Sequence, residues 1–559
     1  MNKISEGKDF TPLVKIKINS VSNYILFFIF FALVITSFFI INFEIAPSGF
    51  EGFKNRLANF FKFENQIDNY PNKSLFVLSF EFLWISIRDV LIGTTLGFII
   101  ALITTIFANE KIVKLKVISW FFKIIIPVLR AMPVIFFIYV FSTNFSANLA
   151  LILVYMWFTW IWSHKYISQY YESISYDGFN YSKYEGKSYF LSFYKNIWYQ
   201  INNKIISLFL YSFESNMRWS SILGSLGLTG IGELIYKASD DKFESMGIPV
   251  LVLTIFMIFL EVIFILINKF ILENKSFKFV DFVKQSKTLN IKKQLKKILF
   301  ITFLVLLIAS FVTINWSNQK IYNSTILSDF FKPNWNVINE NKNINLPYDI
   351  FYLIVQTFLI MFIAFIISIF FVYISAYKIF GKLAYIGIVV STIARAIPLV
   401  LFIYLFSILY ANPEANIILI LSFYTGLILA KNFGTYINSI NDSTLFYLKM
   451  CGYSKNKIFF KYCLNRFKFD FRNLALFNWE SQFRDLITYG QYGSSMIGVM
   501  IEFYFNSSRK EFDKMATFIW ISFFINLIAI LCFYLINNYH SLNKLKINLG
   551  VKKWKLIQV

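Results

Sequence analysis

Apolar residues run in long blocks along most of this chain, and polar residues gather between them. A helix needs about 20 mostly apolar residues to span a bilayer. Such blocks lie at 23–42, 83–108, 118–142, 148–163 and 248–268, and again at 298–316, 350–376, 384–408, 416–430 and 516–537. Two further stretches, 205–235 and 469–500, are apolar but interrupted by polar residues and glycines. Counting them predicts about twelve helices, so the fold class is an all-α polytopic membrane protein.

The charges between the blocks give direction. Nine lysines crowd the linker 269–297 against Glu273 and Asp281, and five lysines with no acid follow residue 540. The loops 42–81 and 317–349 are nearly balanced in sign. Basic segments stay on the inner face. Both termini and the central linker are therefore expected to be cytoplasmic in a bacterial cytoplasmic membrane, with the balanced loops outside. An even number of spans per half is then required, and six plus six meets it.

The two halves repeat. At a shift of 265, VLRAMPVIFFIYVFS (128–142) lies over IARAIPLVLFIYLFS (393–407), with eight of fifteen positions identical. Arg130 meets Arg395 and Pro133 meets Pro398. At a shift of 266, YSKYEGKS (181–188) lies over YLKMCGYS (447–454), so Lys183, Gly186 and Ser188 meet Lys449, Gly452 and Ser454. The same shift lays FESNMRWSSILGSLGLTGIG (213–232) over WESQFRDLITYGQYGSSMIG (479–498). There Glu214 and Arg218 meet Glu480 and Arg484. Gly224, Gly227 and Gly232 meet Gly490, Gly493 and Gly498. Each copy starts and ends on the same side, so the repeats are parallel and a pathway between them is expected. The divisions expected are 1–81 (first helix and outer loop), 82–270 (first repeat), 271–297 (basic linker), 298–349 (helix and outer loop), 350–540 (second repeat) and 541–559 (basic tail).

Polar residues inside spans carry the chemistry. An arginine at a helix centre costs about 2.5–3.5 kcal/mol to insert, so it faces the interior or a wet cavity and has partners. Two readings stay open for Arg130 and Arg395: a guanidinium reaching the headgroups beside a packing kink, or one lining the path of an anion. Pro133 and Pro398 bend or break their helices. Glu214 and Arg218 are four apart, as are Glu480 and Arg484, so each pair can neutralise itself, or pair across the two halves. The glycines suit a tight turn or close helix approach. The loops 164–204 and 431–468 are the longest polar stretches within each half, and a turn at Gly186 and at Gly452 would present a docking surface.

Other chemistries find little support. Hydrophobic residues make up 57% of the 559 residues, against about 45–50% in soluble domains. The net charge of +23 is read as inner-face bias and contact with membrane lipids rather than nucleic-acid binding. Three cysteines and two histidines are too few and scattered for a metal site or a disulfide framework. Gly186-Lys187-Ser188 resembles the end of a phosphate-binding loop, but the motif's first glycine would fall on Tyr181.

The run of Arg-x-x-Pro, a loop built on Gly-x-Ser, then FESNMR…SSILGSLGLTGIG resembles the permease subunits of binding-protein-dependent ABC importers, the phosphonate-type permeases in particular. It covers roughly residues 85–270 well and 350–537 more weakly. The Glu-Ala-Ala that often precedes the loop glycine in that family is absent from both copies. Met496 stands opposite Gly230, and Gln482 opposite Asn216. The resemblance implies a type I importer fold with two permease domains fused, so that no homodimer is required. It implies no cofactor in this chain, because ATP would bind to two copies of a separate ATPase docked on the two loops. It implies an extracytoplasmic solute-binding protein or lipoprotein, and an anionic phosphorus-containing solute: phosphonate, phosphate, a phosphate ester or thiamine pyrophosphate. The alternative is a secondary transporter of six plus six helices, which should bury unpaired carboxylates; the spans hold Asp89, Glu261 and the two Arg-paired glutamates. A lipid-modifying enzyme would need a nucleophile, base or metal cluster, and none is evident.

Overall fold

The computed structural model describes residues 20–113, 115–272, 282–314, 326–340, 344–507 and 511–555. Parts of the basic linker (273–281) and of the second outer loop (315–325 and 341–343), with the two chain ends, lie outside the described residues.

The helices run through one order twice. After α1 (Ser20–Ile40) and α2 (Gly49–Phe60), the first repeat comprises α3 (Leu75–Ala108), α4 (Lys116–Ala131), α5 (Val134–Asn144), α6 (Ala147–Glu172), α7 (Asp177–Tyr184), α8 (Tyr189–Ser192), α9 (Tyr199–Leu223), α10 (Ile231–Asp241) and α11 (Gly247–Ile267). After α12 (Phe282–Val312), α13 (Ile326–Phe330) and α14 (Val337–Glu340), the second repeat opens with α15 (Leu346–Ser375), α16 (Tyr377–Phe380), α17 (Ala384–Ala396), α18 (Leu399–Phe406) and α19 (Pro413–Asn438). It closes with α20 (Asp442–Met450), α21 (Lys455–Lys457), α22 (Leu464–Arg466), α23 (Lys468–Thr488), α24 (Met496–Asn506) and α25 (Phe512–Lys555).

Seven helices among the described residues are long and apolar enough to cross a membrane, or eight if the bent pair α4–α5 counts as one span. The difference from twelve has physical causes. The blocks at 118–142 and 384–408 are broken rather than continuous. α4 ends at Ala131, Pro133 caps α5, and the chain turns through 82°. Pro398 likewise caps α18. Proline has no N–H to continue the helix and clashes with the preceding turn. The stretches at 205–235 and 469–500 do not cross as plain helices either: α9 and α23 each end in a glycine turn. The blocks at 148–163 and 416–430 are longer helices than expected, because α6 continues to Glu172 and α19 to Asn438. Each helix thereby carries a lysine, Lys165 and Lys431, that the hydropathy pattern places at the start of a loop.

Each repeat is built on one long helix packed against another, α3 on α6 and α15 on α19. α3 reaches about 51 Å at 1.5 Å per residue, more than a bilayer core. Its Gly93 and Gly97, spaced G-x-x-x-G, face α6. A Cβ at Gly97 would lie 2.2 Å from the carbonyl oxygen of Met156.

The outer loops cross between repeats. The segment before α2 bridges Ile45 to Tyr410. From α2, Arg56 donates to the Tyr404 carbonyl at 2.5 Å and the Ser407 hydroxyl at 2.6 Å, and Phe53 meets Phe406. In the other direction, Phe330 of α13 packs on Phe136 of α5, with ring centroids 4.3 Å apart. Each loop thus rests on the broken helix of the opposite repeat.

Gly97→Val should lower the stability of the purified chain by about 1–3 kcal/mol through overpacking. Gly434→Ala, whose new methyl meets nothing closer than 3.9 Å, should leave it nearly unchanged. Melting temperatures in one detergent would show the difference, and equal melting would refute the close-approach role.

Candidate functional site

A cavity of about 220 Å³ lies between the repeats, walled by α6 and α9 of the first and α19 and α23 of the second. Its lining is matched across the repeat. Thr159 stands opposite Thr425, Ser215 opposite Ser481, Asn216 opposite Gln482 and Arg218 opposite Arg484. The Asn216 amide donates to the Thr159 hydroxyl at 2.8 Å, and the Gln482 amide makes the same bond to Thr425 at 3.0 Å. At one end Ile222, Leu421, Tyr424 and Tyr489 are buried. Toward α7 and α20, Tyr166, Tyr211, Phe477 and Asn478 are half-buried.

Behind this wall lies a double ionic cluster. Glu480 forms an ion pair with Arg130 at 3.0 Å and accepts from Lys165 at 3.4 Å, both from the first repeat, while Arg484 of its own helix stands farther off at 3.7 Å. Glu214 pairs with Arg218 on its own helix and with Lys431 of the second repeat at 3.6 Å. Lys431 also reaches Glu261 at 3.3 Å, and Arg395 pairs with the same carboxylate. Lys165 and Lys431 occupy equivalent positions, as do Arg130 and Arg395, so each cluster bridges the repeats. The copies differ at one place. Asn526 of α25 stands where the first repeat has Glu261, and its amide donates to the Ala131 carbonyl at 3.0 Å. Arg484 donates to the neighbouring Arg130 carbonyl at 2.9 Å. Breaking a helix leaves its last carbonyls without partners; here two of them are satisfied from the opposite repeat.

The predicted residues therefore divide. Arg218 and Arg484 line the cavity. Arg130 and Arg395 sit one layer behind, largely buried and held by carboxylates. Both open readings of Glu214 and Glu480 occur together, self-pairing in the first and chiefly cross-repeat pairing in the second. Sequence reasoning missed Lys165 and Lys431, although both occupy the repeat register at shift 266 and could have been found by extending it.

The glycine strings make the turns that end α9 and α23. Gly227 and Gly493 adopt φ of +80° and +76°, the left-handed region that suits glycine. Gly224 and Gly490 lie so close to Gly232 and Gly498 that a Cβ would meet backbone at 1.9 Å and 2.1 Å. Across the repeats, Gln491 donates to the Ser225 hydroxyl at 2.6 Å, and Ser225 bonds the Tyr492 hydroxyl at 2.8 Å. Ser225 and Gln491 are equivalent positions, and equivalent positions touch only at the axis relating two halves. The turns meet there, beyond the buried end of the cavity.

On the opposite face the loops form two knobs of one geometry. α7 ends at Gly186 with φ +76°, and α20 at Gly452 with φ +76°. Lys187 N–H reaches Ser182 O and Tyr453 N–H reaches Leu448 O, the six-to-one bond of a Schellman end. Ser188 and Ser454 then cap the next helix, accepting from Leu191 and Lys457 N–H. The Lys183 and Lys449 carbonyls accept the glycine N–H groups. Large apolar side chains stand exposed on both knobs: Tyr184 and Phe190 on one, Phe446 and Met450 on the other.

Among the described residues, no group of three or more His, Cys, Asp or Glu could hold a metal. A family model described as the binding-protein-dependent transport system inner membrane component matches residues 93–275. An ABC transport system permease protein p69 of Mycoplasma genitalium is 31% identical over 447 residues, covering 78% of this chain and 81% of the relative. One of the same description from Mycoplasma pneumoniae is 28% identical over 482 residues, covering 84% and 87%. No solved structure matches.

Removing one carboxylate should expose the cost of the ionic cluster. Glu480→Gln leaves Arg130, Lys165 and Arg484 facing one another and should destabilise the chain by about 3–5 kcal/mol. Adding Lys165→Met should recover part of the loss. Thermal unfolding of the native chain, each single variant and the double variant would show it, and additive effects would contradict a shared cluster.

Proposed function

The chain belongs to the permease subunits of ABC transport systems, and from that premise we propose that it is the membrane subunit of an importer with both permease domains fused in one polypeptide. Subunits of this family do not hydrolyse ATP themselves; a separate partner ATPase does so. The secondary-transporter alternative falls with the family assignment.

The observation that carries the reading is the pair of knobs. Two helix–glycine–serine turns of one geometry, with exposed aromatic or apolar tips, stand on the face opposite the glycine turns that meet at the axis. In this proposal each docks one copy of the ATPase through Lys183, Gly186 and Ser188 or Lys449, Gly452 and Ser454. The domains are 82–270 and 350–540, and the termini and knobs are cytoplasmic. The family's description as binding-protein-dependent supports inward transport and a solute-binding protein or lipoprotein on the outer face. Closure of the ATPases would rock the repeats and part the Ser225–Gln491 contact, opening the cavity outward.

The solute proposed is an anion carrying phosphorus: phosphonate, phosphate, a phosphate ester or thiamine pyrophosphate. Arg218 and Arg484 on the cavity wall support it, since a guanidinium suits phosphate oxygens. Arg130 would serve by fixing Glu480 beside Arg484, and Arg395 by holding Glu261, which shares Lys431 with the Glu214 that pairs with Arg218.

Two measurements test this. Replacing Gly186 and Gly452 together with Val should abolish solute-coupled ATP hydrolysis while membrane abundance holds, because a left-handed φ strains a β-branched residue. Normal coupling would sink the docking assignment. Separately, Ser225→Cys with Gln491→Cys should form a disulfide on oxidation that stops uptake, with activity restored by reductant. Undiminished uptake in the cross-linked protein would show that this contact is not the gate.

A further inference from the structure

The cavity lining departs from its own symmetry on one wall. Along the facing surfaces of α9 and α23, residues at equivalent positions keep their type: Ser215 with Ser481, Asn216 with Gln482, Arg218 with Arg484. The next position breaks the pattern, with Trp219 on one side and Asp485 on the other. Two more mismatches on α6 and α19 run the same way. Trp162 stands opposite Ile428, and Tyr166 opposite Asn432. At these three positions the first repeat presents aromatic rings and the second a carboxylate, an aliphatic side chain and an amide, while Tyr424, Phe477 and Tyr489 of the second repeat also line the cavity.

Arg484, its neighbour in sequence, is a cation near enough to act on that carboxylate. Among the described residues Asp485 forms no ion pair, whereas Glu214, Glu261 and Glu480 each have at least two cations. Its polar contact is the Ser481 hydroxyl, which donates at 3.1 Å. Its neighbour Arg484 donates to the Arg130 carbonyl, stands near Glu480 and lies over the Trp162 ring, 5.8 Å from its centroid. One turn further on, Tyr489 stacks with Trp219 at 6.1 Å between centroids, so the aromatic wall extends close to the carboxylate. An anionic oxygen beside aromatic faces is the arrangement that recognises an organic cation. The carboxylate supplies charge, and the rings supply attraction to a weakly hydrated ammonium. An unpaired carboxylate within a membrane is costly, and a cation arriving with the solute would offset that cost.

We infer that Asp485, with the aromatic wall of the first repeat, forms a subsite for a positively charged group of the transported solute, which is therefore zwitterionic. This deepens the proposed function and rests on its assignment of the cavity to the solute. The anionic end would lie toward Arg218 and Arg484, and the cationic end toward Asp485.

Three probes separate the two ends. Phosphocholine carries both charges, choline only the cation, and 3,3-dimethylbutyl phosphate only the anion at nearly the same shape. Each would be titrated calorimetrically into the purified full chain and into Asp485→Asn, which keeps side-chain size. Phosphocholine is expected to bind the native chain about tenfold or more tightly than its carbon isostere. In Asp485→Asn that gap should close while the melting temperature holds. Equal binding of phosphocholine and the isostere to the native chain would overturn the cation subsite and leave the anion reading standing. Choline binding as tightly as phosphocholine would leave the carboxylate subsite and remove the anionic end. A gap that persists in Asp485→Asn would place cation recognition elsewhere and overturn the assignment. So would the absence of binding by all three probes at millimolar concentration.

Discussion

Glu480 sits in the apolar interior with two cations from the opposite repeat closer than the arginine of its own helix. Charges so placed are strongly destabilising unless paired. The pairing is available only when α23 of one repeat packs against α4 and α6 of the other. Glu214 imposes a similar demand through Lys431 of α19. The association of the halves is therefore written into their charges as well as their shape. Neither repeat could be inserted alone without leaving buried lysine, arginine or carboxylate unmatched. This constraint also fixes the broken helices. Arg130 and Arg395 lie in the last turns before the proline breaks, so holding their guanidinium groups holds the ends of α4 and α17.

The breaks in turn organise the two faces. A continuous helix would carry Pro133 and Pro398 straight through the membrane; the broken one turns α5 and α18 over the outer end of the cavity. The outer loops settle on these short helices from the opposite repeat, with Arg56 on the Tyr404 carbonyl and Phe330 on Phe136. The glycine turns meet beneath them through neutral hydrogen bonds, each worth about 0.5–1.5 kcal/mol. Neutral bonds between the repeats thus lie at the glycine turns, and paired charges lie behind the cavity wall.

Much of this was legible in the chain. Seven of the twelve apolar blocks contain helices long and apolar enough to cross a membrane, and the repeat and the breaks at Pro133 and Pro398 follow from a constant shift and the prolines. What was hidden was of two kinds. Hydropathy ends a span where polar residues begin, so Lys165 and Lys431 fell into loops, although helical hydrogen bonding carries α6 and α19 onward. Sequence spacing also favours near partners. The four-residue interval suggested that Glu480 pairs with Arg484, but in the fold Arg130, 350 residues away in the chain, is closer. The crossing of the outer loops left no trace in sequence at all, because nothing local to Phe53 names Phe406.

Many positions that hold the halves together are matched: Arg130 with Arg395, Lys165 with Lys431, Glu214 with Glu480, and the bonds of Asn216 and Gln482 to Thr159 and Thr425. Those that differ include Ser225 and Gln491, bonded to each other at the axis, and, facing the cavity, Trp219 and Asp485, Trp162 and Ile428, Tyr166 and Asn432, and Ser212 and Asn478, together with Glu261 and Asn526 just behind it. Two identical subunits about a two-fold axis can offer only a symmetric lining, in which every ring or carboxylate appears twice. A small solute has no such symmetry, and half of a symmetric lining would face the wrong end of it. Carrying both halves in one chain removes that restriction. The frame stays paired because packing and buried charge require it, and the cavity wall is free to differ.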